Sequence, residues 1–329
     1  KSLVETIDEV ENEGIKVSDI VVVLDRQQGG KEKLEAKGYK VHSLFNISEV
    51  VEILRAVNYI DDEEVARIQD FVNGNHVVFE EKKRLSYEQK LEVAEHSFAK
   101  KILEIAIAKK SNLIASADFI TTKELLDFAD FVGPHIVALK THIDILNDFD
   151  ADETILPLKD LATKHNFLLM EDRKFADIGN TQELQFSYGT YKISNWADLV
   201  TSHVIGGSKS LDCFMNVGVV AILGMSSQGT LTDSHYREEA LKVIENHPNI
   251  IGCVAQNQIS DNLLLFTPGV NLSVAGDDKG QQYNSPEHVI RNYGTDFIIV
   301  GRGIYKADEP EQEALRYKNE GWKAYQDSL

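Results

Sequence analysis

Cysteine is scarce in this chain, with two in 329 residues, Cys213 and Cys253. That excludes a disulfide framework and points to a reducing, cytoplasmic setting. Each lies in an apolar stretch and reads as a small core residue. No apolar run approaches the ~20 residues of a membrane span. The opening Lys1-Ser-Leu-Val-Glu-Thr is amphipathic and acidic, unlike a signal peptide. Cations are also short, with 34 Lys and Arg against 53 Asp and Glu and a net charge of −19. This argues against a nucleic-acid partner. A small anion is then held only where basic groups converge locally. The ten histidines show no zinc spacing, and there is no Gly-x-Ser-x-Gly elbow. Asp25-Arg-Gln-Gln-Gly-Gly30 lacks the Lys-Ser/Thr ending of a phosphate-binding Walker loop and reads as a turn. The expectation is therefore no metal and no cofactor.

What remains is an ordinary globular composition, 43% hydrophobic and 26% charged, with length for a sizeable core. Residues 1–57 alternate helix and strand, with strands at Ile20–Leu24 and Tyr39–Leu44, and read as a partial α/β domain. Two strands are too few to close a core. Residues 58–90 are charge-rich, with one helix expected near 62–72, and read as a linker. Residues 91–329 read as a further domain, regular in pattern from residue 111. Eight short apolar runs follow one another: Leu113–Ser116, Ile136–Leu139, Phe167–Met170, Leu199–Ser202, Val219–Leu223, Ile251–Ala255, Leu263–Phe266 and Phe297–Val300. Amphipathic stretches such as Thr121–Phe131, Ile155–His165, Gly207–Val217, His235–Asn246 and Pro286–Tyr293 lie between most of them. This repetition predicts a closed α/β barrel, (β/α)8. A doubly wound open sheet is the alternative, but no Gly-rich dinucleotide turn follows the first run.

In such barrels chemistry sits at the C-terminal strand ends. The residues there are Ser116 and Asp118, then Lys140 and His142, then Asp172 and Lys174, then Ser226, Pro268 and Gly301-Arg302-Gly303. Asp172 and Lys174 are two apart, so a strand points both to one face. Lys174 sits between the carboxylates Asp172 and Asp177, which favour its charged form and suit it to donating a proton. Asp118 and Lys140 are expected to face each other across neighbouring strands. For His142, a loop-bonding imidazole and a ligand are equally good readings. The long segment 269–285, with Gly280-Gln281-Gln282-Tyr283, and Arg302 between two glycines suit a phosphomonoester. Ser227–Ser234 has the composition of a lid and, equally, of an ordinary loop.

As a set, these motifs resemble the orotidine 5′-monophosphate decarboxylase family: Ser116-x-Asp118, Leu139-Lys-Thr-His142, Asp172-x-Lys-x-x-Asp177-Ile-x-x-Thr181, Thr267-Pro-Gly-Val270, Gly280-Gln-Gln-Tyr283 and Val300-Gly-Arg-Gly303. Residues 1–57, with Leu24-Asp-Arg-x-x-Gly-Gly30, resemble the last part of orotate phosphoribosyltransferase. The two fused in that order are the arrangement of the animal uridine 5′-monophosphate synthases. The resemblance implies that Lys174 protonates C6 of the pyrimidine and that Asp172 lies against the substrate carboxylate. It further implies that Asp177, Ile178 and Thr181 reach a partner's site in a homodimer. Asp118 and Lys140 would hold the ribose, and Ser116 and Ser226 the base. Pro268, Gln281, Tyr283, Gly301 and Arg302 would surround the phosphate.

One departure stands out. The transferase's acidic diphosphate-sugar motif, and the strand leading into it, do not precede the first helix. The expectation is that this chain lacks transferase activity and that its first domain is a remnant of a longer or shortened protein. Two other readings compete with decarboxylation. One is a metal-dependent sugar-phosphate lyase, with Asp-x-Lys-x-x-Asp as its ligand set; the other is a non-catalytic nucleotide-binding module.

Overall fold

The computed structural model describes residues 3–12, 15–74, 84–227, 229–255, 263–272 and 283–329. The chain divides into two compact units, Lys1–Lys83 and Arg84–Leu329. The first unit runs α1 (Leu3–Asn12), β1 (Asp19–Asp25), α2 (Gly30–Ala36), β2 (Lys40–Asn46), α3 (Ile47–Ala56) and α4 (Asp62–Gly74). β1 and β2 pair in parallel, and Ile7, Ile20, Leu34 and Val41 form a small core. Asn46 caps α3 in a reciprocal box with Glu49, satisfying donors that the helix start would otherwise leave open. One face of this pair packs on the small core and the other is open, so Val21 and Val23 are each 70% exposed.

The second unit starts with α5 (Tyr87–Val93) and α6 (Ser97–Lys109) and then alternates strand and helix. Its strands are β3 (Leu113–Ala117), β4 (Ala138–Thr141), β5 (Leu168–Phe175), β6 (Leu199–Ser202), β7 (Gly218–Ile222), β8 (Ile250–Val254), β9 (Leu264–Thr267) and β10 (Phe297–Val300). All pair in parallel, and β10 pairs with β3 to close the barrel. Around it lie α7 (Thr122–Val132), α8 (Leu156–His165), α9 (Gly179–Ser187), α10 (Ser234–Ile244), α11 (Pro286–Tyr293), α12 (Arg302–Tyr305) and α13 (Pro310–Gln326). Seven of the eight strands are buried at every position; β5 alone is exposed in part, at Arg173 and Lys174. This is why they read as continuous apolar runs rather than alternating ones.

Two expectations change. The stretch 207–217 is not an α-helix but a 3₁₀ segment, Ser208–Cys213. Ser210 Oγ donates back to the Gly207 carbonyl at 2.7 Å, a local bond that competes with α-helical pairing. The expected linker 58–90 also divides at residue 83 rather than running on to residue 90. Residues 84–90 belong to the barrel because they cover its N-terminal mouth. Tyr87 is fully buried and stacks on Tyr325 at 4.1 Å, and its hydroxyl donates to the Asp296 carbonyl at 2.6 Å. Lys90 and Arg84 pair with the buried Asp296 carboxylate at 2.7 and 3.2 Å, and the Leu265 N–H donates to it at 2.9 Å.

Deleting a core aromatic costs about 3–5 kcal/mol. Tyr87→Ala in the full chain is expected to lower the unfolding free energy of the barrel by about that much, read from urea denaturation. A loss below about 1 kcal/mol would mean that α5 lies on the barrel without closing it.

Candidate active site

The strand alternation decides which side chains enter the barrel. On β4, Lys140 points inward; on β5, Met170 and Asp172 point inward and Glu171 outward. The alternation should then turn Arg173 out and Lys174 in, but the strand is not regular there. The β5–β6 register shifts between Glu171 and Phe175, and Lys174 adopts φ +51. Left-handed backbone costs a residue with a Cβ roughly 1–2 kcal/mol. Strain of this kind persists where the surroundings over-determine it.

Those surroundings converge on Asp172, whose side chain is 9% exposed. Its Oδ2 lies 2.7 Å from Lys140 Nζ and 2.8 Å from Lys174 Nζ. Its Oδ1 accepts from the Thr201 hydroxyl at 2.7 Å. Burial alone would raise this carboxyl, but the Lys140 and Lys174 ammoniums outweigh it and hold Asp172 well below the usual carboxylate range. The His142 imidazole moves down because it is buried and beside Lys140. Neutral, its Nε2 accepts from the Lys140 ammonium at 3.1 Å, which leaves the ring hydrogen on Nδ1. Ser116 Oγ donates to Asp118 Oδ1 at 3.1 Å.

These groups line one cavity of about 240 Å³ at the C-terminal mouth of the barrel. Ser226, Pro268, Tyr283, Gly301 and Arg302 line it too. The Arg302 guanidinium lies over the Tyr283 ring, 5.7 Å from its centroid. Behind it Gly303 has no room for a side chain, since a Cβ would lie 2.5 Å from Tyr317 Oη. The walls contain three cations, Lys140, Lys174 and Arg302, against the two carboxylates Asp118 and Asp172. A locally basic pocket thus sits in a strongly acidic chain.

Some expected neighbours are elsewhere. Asp118 and Lys140 do not pair: Asp118 is taken by Ser116 and lies 3.9 Å from His142, whereas Lys140 is taken by Asp172 and His142. Asp177 does not flank Lys174 within the chain. It is exposed, its Oδ1 accepting from the Ile178 N–H at 2.8 Å where α9 begins. Ile178 is 66% exposed and Thr181 half-buried, and neither lines the cavity. Gln281 lies outside the described residues. Of segment 227–234, Gln228 is likewise outside, while Thr232 is buried and accepts from the Met225 N–H at 2.9 Å. Sequence reasoning missed Thr201 and the apolar lining of Met170, Ile222, Val254 and Ile299. The signal for Thr201 was a hydroxyl at an inward position of an otherwise apolar barrel strand. Among the described residues, no three His, Cys, Asp or Glu side chains are grouped to hold a metal ion. No helix among them is long and apolar enough to cross a membrane.

A family model described as orotidine 5′-phosphate decarboxylase / HUMPS family matches residues 111–317. The chain belongs to this family. It is 40% identical to uridine 5′-monophosphate synthase of Bos taurus, over 98% of this chain and 72% of that protein. It is also 40% identical to orotidine 5′-phosphate decarboxylase of Solorina crocea, over 74% of this chain and 95% of that one. Likeness to the bovine synthase therefore takes in the first unit as well as the decarboxylase-family barrel. Among solved structures, Leishmania donovani UMP synthase matches with a TM-score of 0.53 at 20% identity, over 70% of this chain and 56% of that one. Orotidine 5′-phosphate decarboxylase of Pyrococcus horikoshii matches with a TM-score of 0.50 at 20% identity, over 65% and 99%. At that identity the structures show the fold alone.

On the outer face of β5, Glu171 is fully buried and burial pushes its carboxyl up to about 8. It accepts from Thr141 Oγ1 at 2.6 Å and from the Ile143 N–H at 3.1 Å, tying down the segment that presents Lys140 and His142. A raised folded-state value means that stability is complete below about pH 4.5 and is lost as pH climbs toward 8. Glu171→Gln keeps an acceptor but cannot ionise. Its stability relative to the parent chain is expected to rise between pH 5 and 8, by at most about 1.4 kcal/mol per pH unit, in urea titrations across that range. A pH-independent difference would mean that Glu171 is buried as an anion.

Proposed function

We propose that this chain decarboxylates orotidine 5′-monophosphate to uridine 5′-monophosphate, the last step in making that nucleotide, with Lys174 as the proton donor to C6. The observation that carries the reading is the Lys174 ammonium held 2.8 Å from Asp172 inside a basic cavity at the C-terminal strand ends. Loss of carbon dioxide leaves an electron pair in an in-plane orbital on C6, which the ring π system cannot take up. A positioned ammonium compensates that charge as it develops and then delivers its proton. Asp172 holds Lys174 in place and, with the substrate bound, sets a carboxylate beside the carboxylate that leaves. Departure of carbon dioxide relieves that crowding.

In this reading the remaining groups bind. Ser116 and Ser226 meet the base, and Asp118 and Lys140 grip the ribose hydroxyls. Pro268, Tyr283, Gly301 and Arg302 surround the phosphate, with Gln281 as a further donor. Enzymes reach accelerations near 10¹⁷, about 23 kcal/mol, more than one acid supplies. Binding energy from the remote phosphate is a source for the rest. The chain would act as a homodimer in which Asp177, Ile178 and Thr181 complete the partner's site. Supporting this, Ile178, Leu184, Tyr188 and Ile205 expose between 51% and 66% of their surface on and around α9. The acidic balance disfavours nucleic acid as a partner, and two free cysteines suit a cytoplasmic setting.

Lys174→Ala is expected to lower release of carbon dioxide from orotidine 5′-monophosphate by about 10³-fold or more while uridine 5′-monophosphate still binds. Near-normal turnover in the variant sinks the assignment, and loss of parent activity in EDTA would favour the metal-dependent lyase instead. Site sharing has its own check. Equal mixtures of Lys174→Ala and Asp177→Ala protomers should recover roughly a quarter of parent activity, the statistical yield of one intact site per mixed dimer. No recovery in dimers verified as mixed would place each site within one protomer.

A further inference from the structure

Thr201 lies on β6, 1% exposed, and meets the Asp172–Lys174 pair from the far side of the β5–β6 seam. Its Oγ1 donates to Asp172 Oδ1 at 2.7 Å and accepts the Lys174 backbone N–H at 3.0 Å. A hydroxyl has one hydrogen, so the two bonds define its orientation: the proton goes to the carboxylate and a lone pair faces the amide. Two consequences follow from this. Asp172 Oδ1 is occupied, so the Lys140 and Lys174 ammoniums gather on Oδ2 at 2.7 and 2.8 Å. The Lys174 amide, at the point where the ladder to β6 shifts register, finds in this side chain the partner that the strand does not offer.

We propose that Thr201 is a positioning residue: its hydroxyl locks the left-handed turn that aims the Lys174 ammonium into the cavity and reserves one oxygen of Asp172 for the cations. The proposal rests on the decarboxylase reading for its effect on rate, and on the geometry alone for the lock. Nothing else the site residues do requires a hydroxyl at this position. Space-filling would be served by valine, which keeps the branched shape, and harmed by serine, which loses a methyl group. A hydroxyl lock reverses that order.

The test compares Thr201→Val with Thr201→Ser in the full chain. Thr201→Val is expected to lower kcat for orotidine 5′-monophosphate by about 30-fold or more with KM within about threefold, since misplacement near 1 Å costs on the order of 100-fold. Thr201→Ser should stay within about threefold of the parent in both. Crystal structures of the two variants provide the readout that does not depend on turnover: Lys174 should leave φ near +51 in Thr201→Val and keep it in Thr201→Ser. Should Thr201→Val not fold, Thr201→Ala takes its place and must likewise fall below serine. Parent-like kcat in the valine variant overturns the proposal. So does a serine variant as slow as valine, or an unchanged Lys174 turn in the valine structure. If the parent chain itself releases no carbon dioxide, the decarboxylase reading fails, and the two structures still decide the lock.

Discussion

One carboxylate organises this molecule's chemistry. Asp172 is nearly buried in a barrel interior, where a lone anion would be costly, and it is tolerated because two ammoniums and a hydroxyl surround it. The reverse holds as well. Two lysines side by side would repel, and the shared carboxylate is what keeps Lys140 and Lys174 in one pocket. Each member of the cluster offsets the cost of burying the others, which favours an arrangement formed before any ligand arrives. Pre-formed charge is what electrostatic catalysis needs, because no reorganisation is then required as the reaction proceeds.

The barrel supplies that cluster from strands far apart in sequence. Lys140 stands at the end of β4, Asp172 and Lys174 at the end of β5, and Thr201 on β6, and parallel pairing brings the ends together at one rim. Closure through β10 and β3 brings Arg302 and Gly301 to Ser116. Support comes from the opposite sides of the same strands. Glu171 faces outward beside Asp172 and anchors the chain after β4, so neighbouring carboxyls on one strand serve different ends. One is held ionised by cations and the other is pushed up by burial. At the far end, Tyr87, Lys90 and Arg84 gather on Asp296 and seal the barrel floor.

Much of this was legible in the residues. Eight apolar runs with amphipathic stretches between them implied a closed barrel, because strands buried on both faces leave no other pattern. The rule that chemistry sits after such runs singled out eleven residues that do line one cavity, among them Ser116, Lys140, Asp172, Lys174 and Arg302. Within the cavity, the reading diverged in pairing rather than position. Asp118 follows β3 and Lys140 lies on the adjacent β4, yet each takes another partner, since Asp172 competes for the lysine at 2.7 Å. Thr201 went unnoticed because a hydroxyl within an apolar run looks like ordinary strand composition.

From its residues alone, this chain determined a barrel-forming periodicity, an acidic surface enclosing a few cations, and a motif set that marks its family. Those properties are local or additive, so spacing and composition carry them. Only the tertiary structure decided that Lys174 turns inward through a left-handed residue, that one oxygen of Asp172 serves two ammoniums, and that a threonine one strand away holds both. Such facts depend on distances between segments that the closed barrel brings together. Spacing along a chain does not encode which of several charged neighbours comes within 3 Å when the sheet closes.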